Sequence, residues 1–220
     1  MKKLILFSAI ALSVMLCGCD EKLEEYTGET TIIKYTTSDF RPIECKLENV
    51  VGNTCIDGNG ELIIAGKITS INNNAFANCR NLLTIELPES ITSIGDFAFS
   101  NCQNLKMELP HNLNYIGIYA FDRCYGLTHI ELSQSIKTIG GSAFISCCNL
   151  KTIVCYATTP PATTSTLFGC DRYGCKCGGK YGCNCSPYNK ILYVPESSVN
   201  AYMNASDWKE SGVRIYAIQP

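Results

Sequence analysis

The sequence lacks the basic surface that a nucleic-acid partner would require. Its 220 residues contain 18 Lys and Arg against 20 Asp and Glu, which gives a formal net charge of -2 at pH 7. No run or stripe of basic residues stands out along the chain. Binding to nucleic acid depends on such a basic footprint. We therefore expect no nucleic-acid partner.

Recognisable catalytic motifs are also missing. The chain has no Gly-x-Ser-x-Gly elbow, no His-Glu-x-x-His helix and no phosphate-cradling glycine loop. Its two histidines, His111 and His129, do not lie in a motif with a cysteine nucleophile. We expect a protein that is not an enzyme and has no cofactor, with a thiol-dependent enzyme as the remaining alternative of that class.

Long apolar runs are confined to the N terminus. Lys2 and Lys3 precede a nearly continuous apolar run over residues 4–16. This run is shorter than the ~20 residues that a membrane-spanning helix needs. Positively charged residues at the N terminus, followed by a short apolar run, are typical of an export signal. We expect a signal peptide over residues 1–18.

The end of this signal carries a resemblance. Leu16-Cys17-Gly18-Cys19 resembles the lipobox of bacterial lipoproteins. The resemblance implies cleavage after Gly18 and lipidation of Cys19 with diacylglycerol and palmitate. An ordinary secretory signal that happens to end in cysteine is the alternative.

A polar tether is expected over residues 19–40. Its first residues are acidic and resemble the signals that send some lipoproteins to the outer face of the outer membrane. We therefore expect a surface-exposed protein of the outer membrane that contacts the membrane through its lipid anchor. The acidic residues are Asp20, Glu21, Glu24 and Glu25.

An internal repeat of 22 or 23 residues dominates the rest of the chain. An Ala-Phe pair occurs four times, followed by a cysteine three residues later and by a leucine three residues after that. A short isoleucine-rich segment precedes each pair. The phenylalanines are Phe76, Phe99, Phe121 and Phe144, the cysteines are Cys79, Cys102, Cys124 and Cys147, and the leucines are Leu82, Leu105, Leu127 and Leu150.

The repeat predicts a solenoid. A unit of about 23 residues cannot bury its own apolar side, so equivalent residues of stacked units must form ladders. Leu82, Ile85 and Leu87 have the spacing of a short strand with one face inward. Pro88 then ends that strand. We expect the Ala-Phe segment to form a short helical turn, and the glycine or asparagine before it to turn the chain with a positive φ.

These residues carry a family resemblance. Residues 91–105, Ile-Thr-Ser-Ile-Gly-Asp-Phe-Ala-Phe-Ser-Asn-Cys-Gln-Asn-Leu, resemble the BspA-like leucine-rich repeat, and four such units match over residues 67–161. The resemblance implies a leucine-rich repeat solenoid of mainly short β-strands. It also implies a cell-surface protein that acts in adhesion and protein binding.

Both ends of the repeat array are expected to be capped. Residues 41–66 form an N-terminal cap around the hairpin signal Asp57-Gly58-Asn59-Gly60. Residues 162–190 form a last repeat with a cysteine-rich insert. Residues 191–220 form a C-terminal cap with strands at 191–195 and 213–218 and an amphipathic helix over 197–209. Terminal repeats need such closure to remain soluble.

One repeat is shorter than the others. Leu105 and Leu109 are four residues apart, whereas the equivalent leucines are five apart in the repeats before and after. A one-residue slip in a strand inverts its two faces. We expect a local irregularity near Lys106 and Met107.

The 15 cysteines fall into groups with different interpretations. The four repeat cysteines are expected to form a buried ladder of small apolar thiols. A catalytic role for one of these thiols is the alternative. Cys148 and Cys155 fit the core. Cys45 and Cys55 fit the core or a disulfide in the N-terminal cap.

The insert contains five more cysteines and too few large apolar residues for a core of its own. In an exported protein, disulfides would stabilise such a loop. Two Cys-x-Cys pairs could instead bind zinc, although their spacing is tighter than usual. A reduced or disordered insert is the third alternative. The cysteines are Cys170, Cys175, Cys177, Cys183 and Cys185, of which the last four would be the metal ligands.

Exposed residues of the repeat strands are the candidate binding surface. Three of them form a column of carboxylates, and a merely solvated face is the alternative interpretation. The partner would be a host or bacterial surface protein, or else a glycan, which requires exposed aromatic residues. Tyr115, Tyr119 and Tyr125 are exposed aromatic candidates elsewhere on the repeats. The candidate binding residues are Thr84, Glu86, Lys106, Glu108, His129, Glu131, Lys151 and Thr152.

Overall fold

The computed structural model describes residues 28–168 and 190–219. The expected signal peptide, Cys19 and all five cysteines of the insert lie outside these ranges. Within them the chain forms thirteen short strands and two short helices. The strands are β1 (Thr30–Thr37), β2 (Val50–Ile56), β3 (Asn59–Ala65), β4 (Ser70–Ile71), β5 (Leu82–Glu86), β6 (Ser93–Ile94), β7 (Tyr115–Ile116), β8 (His129–Leu132), β9 (Thr138–Ile139), β10 (Thr152–Cys155), β11 (Ala162–Thr163), β12 (Ile191–Val194) and β13 (Arg214–Ala217).

Three sheets arrange these strands into a leucine-rich repeat solenoid. The five-stranded sheet, in the order β11-β9-β7-β6-β4, collects the isoleucine-rich segments and is parallel. The Leu-x-x-Ile-x-Leu strands divide between two four-stranded sheets, β2-β3-β1-β5 and β13-β12-β10-β8. We call the solvent-facing surface of these two sheets, together with residues 105–109 between them, the strand face.

A ladder of phenylalanine rings fills the core. Phe76, Phe99, Phe121 and Phe144 stack with successive ring centroids 5.0, 5.4 and 5.3 Å apart, and Phe168 continues the stack at 5.9 Å. All five rings are buried. The leucines and isoleucines of each repeat are packed into the same apolar cluster. The solenoid and its core ladder are as the sequence predicts.

The repeat cysteines form a second ladder, and each thiol has a defined partner. Cys102 Sγ donates to Phe76 O at 3.0 Å, Cys124 Sγ to Phe99 O at 3.1 Å, and Cys147 Sγ to Phe121 O at 3.0 Å. These thiols are buried and free of disulfides. Each cysteine therefore links its repeat to the phenylalanine of the repeat before it.

The glycines of the repeat have a role that differs from the expected one. Gly95, Gly117 and Gly140 are not among the residues with positive φ. A Cβ on Gly117 would lie 2.5 Å from Asp96 N, and the other two positions are equally close to the preceding repeat. Glycine is required there because adjacent repeats approach too closely for a side chain.

Left-handed backbone occurs instead within the Ala-Phe turns. Two residues in each repeat have φ between 53° and 68°. This conformation is uncommon for residues other than glycine, and asparagine accepts it most readily. The turns close with bonds such as Cys79 N–H to Phe76 O at 3.2 Å. The residues concerned are Asn74, Asn78, Phe97, Asn101, Tyr119, Arg123, Ser142 and Ser146.

The N-terminal segment corrects the expected tether over residues 19–40. Residues 30–37 form β1, which lies between β3 and β5 and pairs antiparallel with both. Ile33 and Tyr35 are buried, whereas Ile32 and Lys34, which alternate with them, are exposed. This alternation gives β1 an apolar side that covers the first repeat. Residues 30–37 are therefore part of the fold.

Cys45 and Cys55 do not form the disulfide that was one interpretation of their positions. Both thiols are free and half-buried. Cys55 Sγ lies 3.6 Å from Thr37 Oγ1, and Cys45 packs against the apolar core. Cys155 is a buried core thiol 3.2 Å from Tyr202 Oη, and Cys148 is buried.

The C-terminal unit closes the solenoid with two helices, where the sequence predicts one. A 3-10 turn (Glu196–Ser198) leads into α1 (Val199–Asn204), and α2 (Ser206–Glu210) follows. Ala205 between them has extended backbone, with ψ of 118°. Tyr202 and Trp208 nevertheless pack edge to face with centroids 5.3 Å apart and cover the end of the core. In the part of the chain described, no helix has the length and apolarity to cross a membrane.

Candidate functional site

Two rows of side chains run across the strand face, because alternate residues of each strand point to solvent. The strand registers align the rows from repeat to repeat. Side chains of the first row are mainly neutral or basic. The second row begins with one lysine, continues with three glutamates and ends in apolar and aromatic side chains toward the C terminus. The first contains Thr36, Thr84, Lys106, His129, Thr152, Ile191 and Arg214, and the second Lys34, Glu86, Glu108, Glu131, Val154, Tyr193 and Tyr216.

The short repeat that contains Leu105 interrupts the sheet beneath these rows. Only Lys106 pairs with the preceding repeat, through an isolated bridge to Thr84. This register places the missing residue between Leu105 and Lys106. Residues 107–109 form no strand, so β5 ends one sheet and β8 begins the next. The expected irregularity is present, and its effect is to divide the strand face.

A cleft opens on either side of the interrupted segment. The first has a volume of about 630 Å³ and lies between β5 and residues 106–111. The second, of about 520 Å³, lies between residues 107–111 and β8. We call the two together the strand-face cleft.

Six of the eight residues predicted to bind a partner line the strand-face cleft. Lys151 and Thr152 do not line it, although Thr152 is paired with His129 in the neighbouring strand β10. The structure also adds His111, Glu89 and Tyr156 to the lining, which the sequence alone did not associate with these strands. The six are Thr84, Glu86, Lys106, Glu108, His129 and Glu131.

Glu131 is the best-connected side chain of the cleft. Its Oε1 lies 3.1 Å from His129 Nε2, and Tyr156 Oη donates to its Oε2 at 3.1 Å. The hydrogen bond with His129 is the main cause that lowers the pKa of Glu131. The same carboxylate raises the pKa of Tyr156. Glu131 is therefore a carboxylate at neutral pH and is held in a fixed direction.

A second histidine and carboxylate lie at the other wall. His111 N–H donates to Glu89 Oε2 at 2.9 Å, and His111 Nδ1 lies 3.9 Å from Glu89 Oε1. Both side chains are largely exposed. Because Pro110 ends the interrupted segment, the chain turns there and brings His111 next to the preceding repeat.

Aromatic side chains continue the second row beyond the cleft. Tyr193 and Tyr216 have ring centroids 6.2 Å apart. Tyr216 is 48% exposed and Tyr156 is 43% exposed. Residues 191–220 were expected only to form a cap, and the position of Tyr193 and Tyr216 on the strand face was not predicted. The alternation of Ile191 with Tyr193 was the available signal, since it matches that of the repeat strands.

The tyrosines proposed from sequence lie elsewhere. Tyr115 belongs to β7 in the five-stranded sheet. Tyr119 stacks on Phe97 with centroids 5.1 Å apart, in the Ala-Phe turns. Tyr125 is half-buried in a turn. These residues do not contribute to the strand face.

No cluster of three or more His, Cys, Asp or Glu side chains within residues 28–168 and 190–219 is placed to hold a metal ion. The zinc alternative for Cys175, Cys177, Cys183 and Cys185 falls outside the described residues. The repeat thiols are buried, and burial raises the pKa of Cys147 to about 12. The Cys147 thiol therefore remains protonated at neutral pH and is a poor nucleophile.

Comparison with solved structures returns bacterial leucine-rich repeat proteins. A leucine-rich repeat protein of T. pallidum is 26% identical, with a TM-score of 0.45, 63% of this chain covered and 55% of that chain. The pneumococcal vaccine antigen PcpA is 15% identical, with a TM-score of 0.40 and coverages of 76% and 48%. A leucine-rich repeat protein from Bacteroides ovatus is 19% identical, with a TM-score of 0.36 and coverages of 76% and 44%. This chain thus matches about half the length of each.

Sequence comparison with curated proteins finds no match. The model of the BspA type leucine-rich repeat region, in contrast, matches residues 55–171 in six copies. The four units expected from sequence covered residues 67–161, whereas the matched region begins within the expected N-terminal cap and ends within the expected last repeat. Proteins with this repeat are generally protein-interaction modules and typically non-enzymatic scaffolds. Since the match covers more than half of the 220 residues, the chain belongs to the BspA-type leucine-rich repeat family.

Proposed function

We propose that this protein is a lipid-anchored binding protein of the bacterial cell surface that recognises a host or bacterial protein through its strand face. The observation that carries the binding role is the strand-face cleft, which gathers six candidate residues around one concave surface. Concave surfaces of repeat solenoids are their usual binding surfaces. The anchor would be the lipid on Cys19, and the location the outer membrane.

The chemistry of the cleft suits a protein partner. Carboxylates, imidazoles and one ammonium group border the half-buried Met107 and the exposed ring of Tyr156, a mixture typical of protein interfaces. Glu131 is pre-oriented by His129 and Tyr156. A side chain that is already fixed loses less conformational entropy on binding. The cleft is thus suited to a specific contact with another protein.

The anchor is tested by metabolic labelling. Cells that express the protein are grown with a palmitate analogue, and Cys19→Ala is compared with Cys17→Ala. We expect Cys19→Ala to lose the label and to leave the membrane fraction, whereas Cys17→Ala keeps some label. Equal labelling of Cys19→Ala and wild type would rule out the anchor.

The binding surface is tested by surface display and pull-down against purified host matrix proteins. The double variant Glu108→Gln/Glu131→Gln removes two carboxylates from the cleft. The matched control Glu196→Gln/Glu210→Gln removes two exposed carboxylates from the C-terminal unit. We expect the first to weaken capture at least tenfold and the control to leave it unchanged. Equal capture by both would place the binding surface elsewhere.

A glycan-binding role is the second candidate, and one observation favours it. Tyr156, Tyr193 and Tyr216 are aromatic side chains on the strand face, and Tyr216 is about half exposed. Exposed aromatic rings are what sugar rings stack on. Tyr193→Ala/Tyr216→Ala should then abolish binding on a glycan array, whereas Glu108→Gln/Glu131→Gln should affect mainly protein ligands. Absence of any bound glycan would remove this candidate.

A further inference from the structure

The proposed function does not specify the conformation or the charge of the partner segment, and the geometry of β8 indicates both. We propose that the cleft beside β8 takes an extended, positively charged segment of a partner protein, which adds to the free edge of β8 as a strand. This inference rests on the proposed protein-binding function and specifies its partner by conformation and by charge.

Within residues 28–168 and 190–219, β8 is the last strand of its sheet, and no strand pairs with its far edge. Its backbone hydrogen bonds show which groups this free edge presents. Leu132 O accepts from Tyr156 N–H at 3.0 Å, and Thr128 O accepts from Lys151 N–H at 3.0 Å. These residues face β10. In a parallel sheet, backbone groups of alternate residues point to opposite neighbours. The N–H and C=O groups of His129 and Glu131 therefore point away from β10, into the cleft.

The space beside this edge exists because one residue is missing. In the other repeats, the residues equivalent to 105–109 form a strand that would pair with β8. Here residues 107–111 run past it without forming a strand, and a cleft of about 520 Å³ separates them from β8. Met107, Leu109 and Pro110 line its floor and far wall. An unpaired strand edge next to open space is a template for another strand.

The side chains around the cleft specify the charge of that strand. Two carboxylates border the cleft beside β8, and two more line the adjoining one, where Lys106 is the one Lys or Arg among the described residues that line it. Lysine and arginine side chains of an added strand could reach these carboxylates. Main-chain bonds would supply affinity, and the side-chain pairs would supply specificity, as in other β-strand additions. The carboxylates are Glu86, Glu89, Glu108 and Glu131.

A random library of decapeptides, displayed on phage, provides the probe. The selection target is the full-length protein, and counter-selection uses a variant with one threonine inserted between Leu105 and Lys106. The inserted residue occupies the position of Thr128 in the following repeat and restores the five-residue spacing. We expect it to complete the strand, fill the cleft and cover the edge of β8.

The expected outcome has three parts. Selected peptides are enriched in lysine and arginine, and synthetic versions bind wild type at least tenfold more tightly than the insertion variant. Methylation of alternate backbone nitrogens in a peptide reduces its affinity for wild type at least tenfold. Glu108→Gln/Glu131→Gln also weakens binding, and more so than Glu196→Gln/Glu210→Gln. The measurement with methylated peptides uses the wild-type protein alone, so it does not depend on the folding of any variant.

Several results would overturn the inference. They are a selection that yields no cationic peptides, peptides that bind the insertion variant equally well, and methylated peptides that retain full affinity. Concentration-dependent dimerisation that the insertion abolishes would mean that a second copy of the chain fills the cleft. Capture of a matrix protein that the insertion leaves unchanged would refute strand addition and leave the proposed function intact.

Discussion

Cys124 Sγ donates a hydrogen bond to Phe99 O at 3.1 Å, and both residues are fully buried. The same bond recurs one repeat earlier and one repeat later. The cysteine of the repeat thus does more than fill space. It gives a buried carbonyl of the preceding repeat a second hydrogen bond, beside the one that Phe99 O accepts from Cys102 N–H at 3.1 Å.

This bond predicts the effect of Cys124→Ala. The substitution removes one of the two donors to Phe99 O, so we expect a loss of about 0.5–1.5 kcal/mol in the free energy of unfolding from the bond, and the small cavity adds to it. Urea denaturation of the two proteins measures it. Cys55→Ala is the control, because Cys55 is half-buried and should cost clearly less. Equal effects at the two positions would contradict a specific role for the bond.

The buried thiols also predict sensitivity to alkaline pH. Burial raises the pKa of Cys147 to about 12 and that of Cys124 well above its usual value of 9. Between pH 9 and 12 the unfolded chain therefore loses thiol protons that the folded chain retains. Stability is fully present below pH 9 and is lost as the pH rises, by up to ~1.4 kcal/mol per pH unit for each thiol.

Urea denaturation at pH 8, 9 and 10 measures this loss. The range stops at pH 10 because burial also raises the pKa of Tyr35 and of Tyr202, which add to the effect at higher pH. Cys147→Ala should show a shallower decline than wild type, since it removes one of the titrating groups. A free energy of unfolding that does not change from pH 8 to pH 10 would refute the assignment.

The phenylalanine ladder predicts a large effect of Phe99→Ala. Phe99 is fully buried and stacks on both Phe76 and Phe121. Truncation of a buried phenylalanine typically costs ~3–5 kcal/mol. Thermal unfolding followed by circular dichroism measures it, with the exposed Phe97→Ala as the control. Similar melting temperatures for Phe99→Ala and wild type would contradict the stacked core.

The close approach between repeats predicts that Gly117→Ala destabilises the fold. The new Cβ would lie 2.5 Å from the backbone nitrogen of Asp96, so the two repeats must separate. Overpacking of this kind costs about 1–3 kcal/mol. Gly66→Ala meets no atom within 4 Å and tests the cost of a positive φ alone, since Gly66 has φ of 81°. If Gly117→Ala were neutral, the repeats would have room that the structure does not show.

The repeat made much of this fold predictable from sequence. Periodic spacing alone determines which residues stack, so the ladders at Phe99 and Cys124 follow once the period is recognised. The strand-face positions of Glu108, His129 and Glu131 follow in the same way, from the alternation within each strand. Their role as binding residues remains a prediction.

Other features were out of reach because they depend on contacts between repeats. The spacing of Leu105 and Leu109 indicated an irregular strand, but it did not show that β8 would be left with a free edge. Gly117 suggested a turn, whereas its actual constraint is the backbone of the repeat before it. Residues 30–37 resembled a tether until β1 was seen to pair with β3 and β5.

The sequence by itself determined the repeat, its register and the composition of the core, because a unit that cannot bury its own apolar side must stack on its neighbours. Only the tertiary structure decided where the strand face is open. The missing residue lies between Leu105 and Lys106, yet its consequence appears at His129 and Glu131, more than twenty residues away. Hydrogen bonding between strands joins these positions in space, and no local pattern in the sequence records which edges remain unpaired.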